Sequence, residues 1–439
     1  MGNCLNKMSG KIRDESFSID LPLSNIVLTR YLYLKDEVKL AFLVSLLNKS
    51  DDAIFWAYEL YYSGFKMELY DYIWTIYYDF FATLNPSFEQ YLNKTLKCDN
   101  EDMDKLVSTI VQDLLIRPFN TDIFFLRTIC NLFEVECSFI TAKSVNKIAF
   151  SSTIMYEQLT KWIDTKDFKS IAQYILNIVV LDTSDKMLYS IYSVAIDIFI
   201  NIYNVKVVKT KLIKEFCAAH DRILSNSNIR GELLTNMMYR KRVVLLTKIM
   251  TLFSLKEKLV KGKNFYIVVE PESIIQYETI DATLSNIKHY KVLDVARICG
   301  IDDLKHLSLF RLERDTIKGK DEGEKHEKLK DLYFKHWLYH AAFSPVWFNR
   351  IKQYSGYVDY KKMSVEFVDE DVMQMFYLKY GYEPDEQNQN TTDKCLKIND
   401  GINWKTFYDK FKANGLFFID EDEIEELNND KIRYPVYFS

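Results

Sequence analysis

The segment DDAIFWAYELYYSGF, residues 51–65, carries the pattern that decides the fold. Asp51 or Ser50 precedes the apolar run as a helix N-cap, and Gly64 follows its end at the position where glycine accepts a left-handed backbone. Between these two ends, apolar side chains recur at helical spacing. The segment therefore predicts one complete α-helix with both of its ends marked.

The scarcity of glycine and proline indicates that the helical pattern continues along the chain. No glycine occurs between Gly64 and Gly231, and no proline occurs between Pro118 and Pro271. A β-rich region of that length would need more turn residues, whereas helices joined by short polar turns would not. The apolar spacing predicts further helices at about 67–84, 101–116, 122–135, 152–163, 167–180, 184–202, 209–224 and 229–253.

The predicted fold class is mainly α. The N-terminal two-thirds is predicted as an irregular, HEAT-like helical repeat or as a helical bundle, and no exact repeat motif separates these alternatives. After Lys263 the pattern changes, because β-type runs alternate with helical ones, and this predicts a smaller α+β domain. The β-type runs are FYIVVE (265–270), KMSVEF (362–367), LFFI (416–419) and RYPVYF (433–438). The later helices are predicted at about 285–298, 301–314, 325–342, 369–380 and 403–412. The predicted units are a flexible tail (1–18), a helical domain (19–145), a helical domain with a basic surface (146–263) and the acidic α+β domain (264–439).

The net charge of −5 conceals two opposed regions. Residues 206–263 contain fourteen Lys and Arg against four Asp and Glu, a balance of +10. Residues 364–430 contain six Lys against seventeen Asp and Glu, a balance of −11. The two regions either face each other across a domain interface or face outward toward partners.

The basic region is the candidate site for a polyanion such as RNA or DNA. Several cations converging on one face would follow a phosphate backbone, with Tyr239 and Phe265 near them for stacking. The alternatives are separately solvated charges and pairing with the acidic domain. Lys241 lies in line with the apolar stripe of Leu234, Met238 and Leu245, and this predicts a helix break there. The candidate residues are Lys206, Lys209, Lys211, Lys214, Arg222, Arg230, Arg240, Lys241, Arg242, Lys248, Lys261 and Lys263.

The N-terminus, Met1-Gly2-Asn3-Cys4, makes Gly2 a candidate for myristoylation and Cys4 a candidate for palmitoylation. Two acyl chains would anchor the protein stably at a membrane, where one would not. The usual motif has Ser or Thr at the position of Asn6, so an unmodified, disordered tail is the alternative. A membrane is therefore expected as a partner only if this end is acylated.

His336 and His340 have the i, i+4 spacing that places two imidazoles on one face of a helix, as a metal site requires. A third ligand would come from elsewhere, with His326, Asp331 and Cys299 as the candidates. The aromatic residues around the two histidines are those of a packed helix, which favours two histidines in or beside the core. No cofactor is predicted.

The sequence contains no recognisable catalytic motif. It lacks the GxGxxG and GxxxxGK[ST] phosphate loops, the GxSxG elbow and an EF-hand loop. The seven cysteines form no CxxC pair, which predicts reduced thiols rather than a disulfide framework. Neither a secretory signal nor a membrane span is recognised. These observations predict a soluble intracellular protein that is not an enzyme. A weaker alternative is an enzyme whose site lies in residues 265–439, with His336 and His340 among its participants.

Three blocks resemble those of helical proteins encoded by giant nucleocytoplasmic DNA viruses of mimivirus type. They are DDAIFWAYELYYSGF (51–65), HWLYHAAFSPVWFNRI (336–351) and YLKYGYEPDEQ (377–387). The resemblance covers about half of the chain and brings no catalytic residue with it. It implies a protein of the viral cytoplasmic factory or of the virion.

Together these observations predict a non-enzymatic helical scaffold or adaptor that acts through protein partners in the host cytoplasm. The alternative is a nucleic-acid-binding factor in viral transcription or translation that uses residues 206–263. The oligomeric state is left open.

Overall fold

The computed structural model describes residues 26–96, 103–130, 152–177, 185–230, 234–257, 267, 269–270, 272–278, 306–380, 402–429 and 431–432. These residues form a mainly α fold, as the sequence predicts. The predicted tail, at residues 1–18, lies outside them. The predicted helix at 285–298 and the β-type run at 433–438 also lie outside them.

The helices of the N-terminal half follow one another with short connections. They are α1 (Lys35–Leu47), α2 (Asp52–Tyr62), α3 (Lys66–Ile76), α4 (Phe88–Thr95), α5 (Met103–Ile116) and α6 (Asp122–Cys130). A π-helical turn, Tyr77–Phe81, extends α3. Gly64 has a φ of +94°, as the opening segment predicts. Asp51 occupies the N-cap position of α2 but its side chain accepts no capping hydrogen bond, whereas Ser50 Oγ accepts one from the amide of Asp52 at 3.3 Å.

The middle of the chain is also helical. It contains α7 (Ser152–Asp164), α8 (Phe168–Leu176), α9 (Lys186–Tyr203), α10 (Lys209–Arg230), α11 (Leu234–Glu257) and α12 (Glu272–Glu278). The helix break predicted at Lys241 is wrong, because α11 runs without interruption through that residue. Lys241 is buried there beside a carboxylate, and this removes the conflict between its charge and the apolar stripe.

The C-terminal part combines short helices with one hairpin. Its helices are α13 (Glu322–Lys330), α14 (Trp337–Ala341), α15 (Pro345–Gln353), α16 (Glu370–Tyr380), α17 (Trp404–Phe411) and α18 (Glu421–Leu427). A 3₁₀ turn (Glu313–Thr316) precedes α13, and a π-helical turn (Asp331–Lys335) joins α13 to α14. Within the predicted helix at 301–314, residues 306 and 307 are helical; a turn follows, Phe310 forms an isolated bridge with Ile432, and the 3₁₀ turn begins at Glu313.

Of the predicted strands, KMSVEF is confirmed as β2 (Ser364–Glu366). It pairs antiparallel with β1 (Tyr357–Asp359), with Val358 opposite Val365. LFFI forms no strand, so that prediction is wrong. Its backbone is held by a side chain instead: Asp122 of α6 accepts hydrogen bonds from the amides of Leu416 and Phe417. The described residues of FYIVVE also lie in no strand.

Buried apolar side chains form two clusters. The larger joins the helices of the N-terminal half to α8–α11, and Trp404, Phe407 and Phe411 of α17 pack into it. The smaller joins residues 26–34 to α14, α15 and α16, with Trp347 at its centre. Segments distant in sequence therefore contribute to both clusters, and the domain boundaries given above stay a prediction.

Residues 26–34 are fixed to α2 by a buried ion pair. Arg30 Nε donates to Glu59 Oε2 at 2.8 Å, and the amide of Tyr31 donates to Glu59 Oε1 at 3.0 Å. Burial raises the pKa of Glu59, while the guanidinium of Arg30 opposes that rise. Both charges have partners, as charges inside a protein require.

Candidate functional site

Three of the candidate polyanion-binding residues lie inside the protein. Arg240 and Lys241, on α11, are 4% and 2% exposed. Arg240 pairs with Asp71 of α3, and Lys241 pairs with Asp185, the residue before α9. Lys248, about two turns further along α11, is buried against Glu89 of α4. These cations bind carboxylates of neighbouring helices, so their charges are directed into the fold.

The pairing of these cations bears on the predicted contact with the acidic C-terminal domain. The carboxylates that pair with Arg240, Lys241 and Lys248 belong to residues 71, 185 and 89, all in the N-terminal half of the chain. The charges of these three cations of α11 are thus neutralised by carboxylates of the helices packed beside it. A surface for phosphate would have to be built from the other candidates.

Arg222 and Arg242 are half-buried and bound to neutral groups. The guanidinium of Arg222 lies 3.6 Å from the centre of the Trp74 ring, and its Nη2 donates to the Tyr78 hydroxyl at 2.9 Å. Arg242 Nη1 donates to the carbonyl of Leu176 at 2.9 Å, and burial lowers its pKa. Both side chains connect helices to each other.

The exposed candidates lie together in sequence at the start of α10. Lys206, Lys211 and Lys214 are exposed, whereas Lys209 is half-buried and pairs with Asp197 at 2.5 Å. Val208, between them, is 65% exposed. Among the candidates whose side chains the structure describes, Lys206, Lys211 and Lys214 are the ones exposed to a partner. Arg230 ends α10 with a side chain outside the described part, and Lys261, Lys263, Gly2 and Cys4 lie outside it altogether.

The two candidate metal ligands, His336 and His340, each lie beside a backbone carbonyl of another segment. His336 Nδ1 lies 2.9 Å from the carbonyl of Met363, and His340 Nδ1 lies 3.3 Å from the carbonyl of Ile26. Burial lowers the pKa of His340 to about 4, so this histidine is neutral at pH 7. Within the described ranges, no three His, Cys, Asp or Glu side chains are arranged to hold a metal ion.

The acidic partners were not among the predicted site residues, although one sequence signal points to them. Asp71 and Asp79 interrupt a strongly apolar helix, and Arg127 interrupts the run DIFFLRTIC. A lone charge within an apolar run needs a partner of opposite sign once it is buried. Arg127 indeed forms a bidentate pair with Asp79, donating to its carboxylate at 2.9 Å from both Nε and Nη2.

Two concavities accompany these groups. A cavity of about 30 Å³ lies among α3, α6, α10 and α11, and Trp74, Arg127, Arg222 and Arg240 are among its lining residues. A more open cleft of about 420 Å³ lies between the end of α2 and the start of α15. The cleft is lined by Tyr61, Tyr62, Gly64, Lys66, Asp104, Pro345, Val346 and Asn349.

Helix α16 exposes apolar side chains to solvent. Met375 is 59% exposed and Leu378 is 69% exposed, and Val368, two residues before the helix, is 70% exposed. The opposite side of the helix is buried through Phe376 and Tyr380. Met375 and Leu378 are three residues apart in the helix and therefore lie on one side of it, whereas Val368 lies in the bend that precedes the helix.

No family model matches the chain, and no curated protein or solved structure shows significant similarity to it. No helix in the described part of the chain has both the length and the hydropathy needed to cross a bilayer.

Proposed function

We propose that the chain is a non-enzymatic helical scaffold or adaptor that acts through protein–protein contacts. The observation that carries the proposal is the exposed apolar surface of α16 and of the bend before it, where Val368, Met375 and Leu378 are each more than half exposed. Methionine and leucine adapt well to an apolar partner surface. A partner that covered these side chains would gain free energy from removing them from water.

The charge distribution supports protein contacts over a nucleic-acid platform. Of the basic candidates, Arg240, Lys241 and Lys248 neutralise carboxylates within the fold. Phosphate binding draws its affinity from cations that are free to replace counterions, and these three are already engaged. The surface left for a polyanion is correspondingly smaller than the balance of +10 implies.

Substitutions on α16 test this proposal. The double variant Met375→Gln and Leu378→Gln changes exposed side chains only, so its stability should stay close to that of the wild type. The matched control is Ile116→Gln, because Ile116 is 51% exposed on a different helix. After nuclease treatment and cross-linking in expressing cells, we expect the α16 variant to lose proteins that the wild type and the control retain. Identical sets of proteins from all three would refute the proposal.

The second candidate function is binding of RNA or DNA through the exposed lysines at 206, 211 and 214. The proximity of the three lysines in sequence favours this function. Reversing all three charges should weaken nucleic-acid binding and reduce the salt dependence of the affinity. The control reverses the same number of exposed lysines elsewhere: Lys318, Lys320 and Lys361. If wild-type protein binds neither RNA nor DNA at low salt, this function is excluded.

A place of action in a viral cytoplasmic factory or a virion is proposed on the sequence resemblance alone. Imaging of the tagged protein in infected cells tests it. Accumulation at the sites of viral replication is the expected result, and uniform distribution in cells with active factories would contradict it.

A further inference from the structure

The cavity among α3, α6, α10 and α11 is lined by three guanidinium groups, which differ in their partners. Arg127 pairs with Asp79, and Arg240 pairs with Asp71. In the described part of the chain, Arg222 has no carboxylate partner; its hydrogen-bond acceptor is the neutral hydroxyl of Tyr78. The cavity lining therefore contains one positive charge that no acidic side chain of the described residues compensates.

The guanidinium of Arg222 is held in place by aromatic rings. It stacks on Trp74 at 3.6 Å and lies 5.6 Å from the centre of the Tyr78 ring. The hydroxyl of Tyr78 donates a hydrogen bond to Glu89 Oε1 at 2.7 Å. Burial raises the pKa of Tyr78 well above its usual value, so its hydroxyl stays neutral and contributes no charge to the cavity. The rings fix Arg222 without neutralising it.

Two nitrogens of Arg222 have hydrogen-bonding capacity left. Nε and Nη1 are inaccessible to bulk solvent and have no hydrogen-bond acceptor among the described residues. A buried donor on a charged group is unfavourable when it has no acceptor, because it has given up its hydrogen bonds to water. A partner with negative charge and a small radius would supply both the acceptor and the missing charge.

We propose that this cavity binds a small monovalent anion, of the size of chloride or formate, through Arg222. Its volume of about 30 Å³ sets the size limit. It holds roughly two water-sized spheres, and a benzene-sized ligand needs a cavity of about 150 Å³. The apolar wall formed by Ile223, Val243 and Val244 lowers the local dielectric constant and strengthens the attraction of the guanidinium for the anion. The bound anion joins α10 to α3 across the cavity.

Thermal unfolding in different sodium salts at one ionic strength tests the proposal. Chloride and formate are the probes, and gluconate is the control because it is too large for the cavity. We expect a saturable rise in Tm of about 2 °C with chloride or formate relative to gluconate. The variant Arg222→Met should lose this difference. The variant Lys214→Met, which removes an exposed cation from the same helix, should keep it.

Two results would overturn the proposal. The first is an equal Tm in all three salts for the wild type, which needs no variant and shows that the cavity holds water alone. The second is a chloride or formate effect that persists in Arg222→Met. If that variant does not fold, Val243→Phe replaces it, because the larger side chain fills the cavity while Arg222 stays. Retention of the anion effect in Val243→Phe would equally refute the site.

Discussion

Lys241 Nζ lies 2.9 Å from both carboxylate oxygens of Asp185, and the lysine side chain is only 3% exposed. The pair joins the middle of α11 to the start of α9. His220 of α10 lies next to it, with its Nδ1 4.0 Å from Asp185 Oδ2. A residue that looks like part of a basic surface is thus part of the connection among three helices.

Replacement of Lys241 by methionine should destabilise the fold, because it leaves the partly buried carboxylate of Asp185 without its cation. We expect a loss of about 2–3 kcal/mol in the free energy of unfolding, measured by urea denaturation. Lys214→Met on the exposed face of α10 should change it by less than about 0.5 kcal/mol. The double variant Lys241→Met and Asp185→Asn should recover part of the loss. Equal effects of the two single lysine variants would contradict the buried pair.

His220 should make the protein less stable in mild acid. Burial lowers its pKa to about 3, while Asp185 opposes that shift. A group with a lowered pKa in the folded state favours the neutral form, so its contribution to stability is lost as the pH falls below 6.5. Between pH 7 and pH 5, the wild type should lose about 2 kcal/mol more than His220→Phe, a variant that cannot titrate. Urea denaturation at the two pH values measures the difference. Parallel losses in both proteins would show that His220 titrates normally.

Asp122 should have the opposite pH dependence. Burial raises its pKa to about 7, against the backbone hydrogen bonds from Leu416 and Phe417. Its contribution to stability is full below its ordinary pKa of 3.8 and is lost as the pH rises through about 7.

Relative to Asp122→Asn, the wild type should therefore lose about 3 kcal/mol of unfolding free energy between pH 5 and pH 8. The same urea experiment at these pH values measures it. Asp409→Asn, which alters an exposed carboxylate of α17, is the control and should follow the wild type. A difference between the wild type and Asp122→Asn that is independent of pH would contradict the prediction.

Gly64 should tolerate no side chain. Its φ is +94°, and a Cβ atom there would lie 2.5 Å from Cβ of Pro345, at the start of α15. Gly64→Ala should therefore cost about 2–4 kcal/mol in unfolding free energy, from backbone strain and from the clash. Gly323→Ala is the matched control, since Gly323 lies in helix α13 and a Cβ atom there would lie 3.3 Å from Asp321 Oδ1, a side-chain atom that a small shift can move away. We expect it to stay within about 0.5 kcal/mol of the wild type. A comparable loss in both variants would contradict the close contact with Pro345.

Local signals predicted the helices well and the strands poorly. Helix ends are encoded by nearby residues, as Ser50 and Gly64 show for α2, because capping and backbone conformation are local effects. LFFI has the composition of a strand, but a strand needs a neighbouring strand to satisfy its amides. In this fold the carboxylate of Asp122 accepts hydrogen bonds from the amides of Leu416 and Phe417 instead. Asp122 is 294 residues away from Leu416 in sequence, so the residues around LFFI do not predict this contact.

The candidate site shows the same division. The concentration of cations at 206–263 is a fact of the sequence, and so is the lone charge of Asp79 or Arg127 in an apolar run. Which cations face solvent follows from the packing of α11 against α3, α4 and α9. Lys241 and Lys214 carry the same charge in the same region of the sequence. Lys241 is a buried partner of Asp185 and Lys214 is exposed, because different helices surround them.

A mainly α chain can be predicted from local sequence, because apolar spacing, caps and the scarcity of glycine and proline act over a few residues. The use of the charges depends on how the helices pack in three dimensions. An ion pair such as Arg240–Asp71 joins residues far apart in sequence, and its formation depends on the contact between two helices. The Arg222 cavity has the same origin, since it forms only where four helices meet.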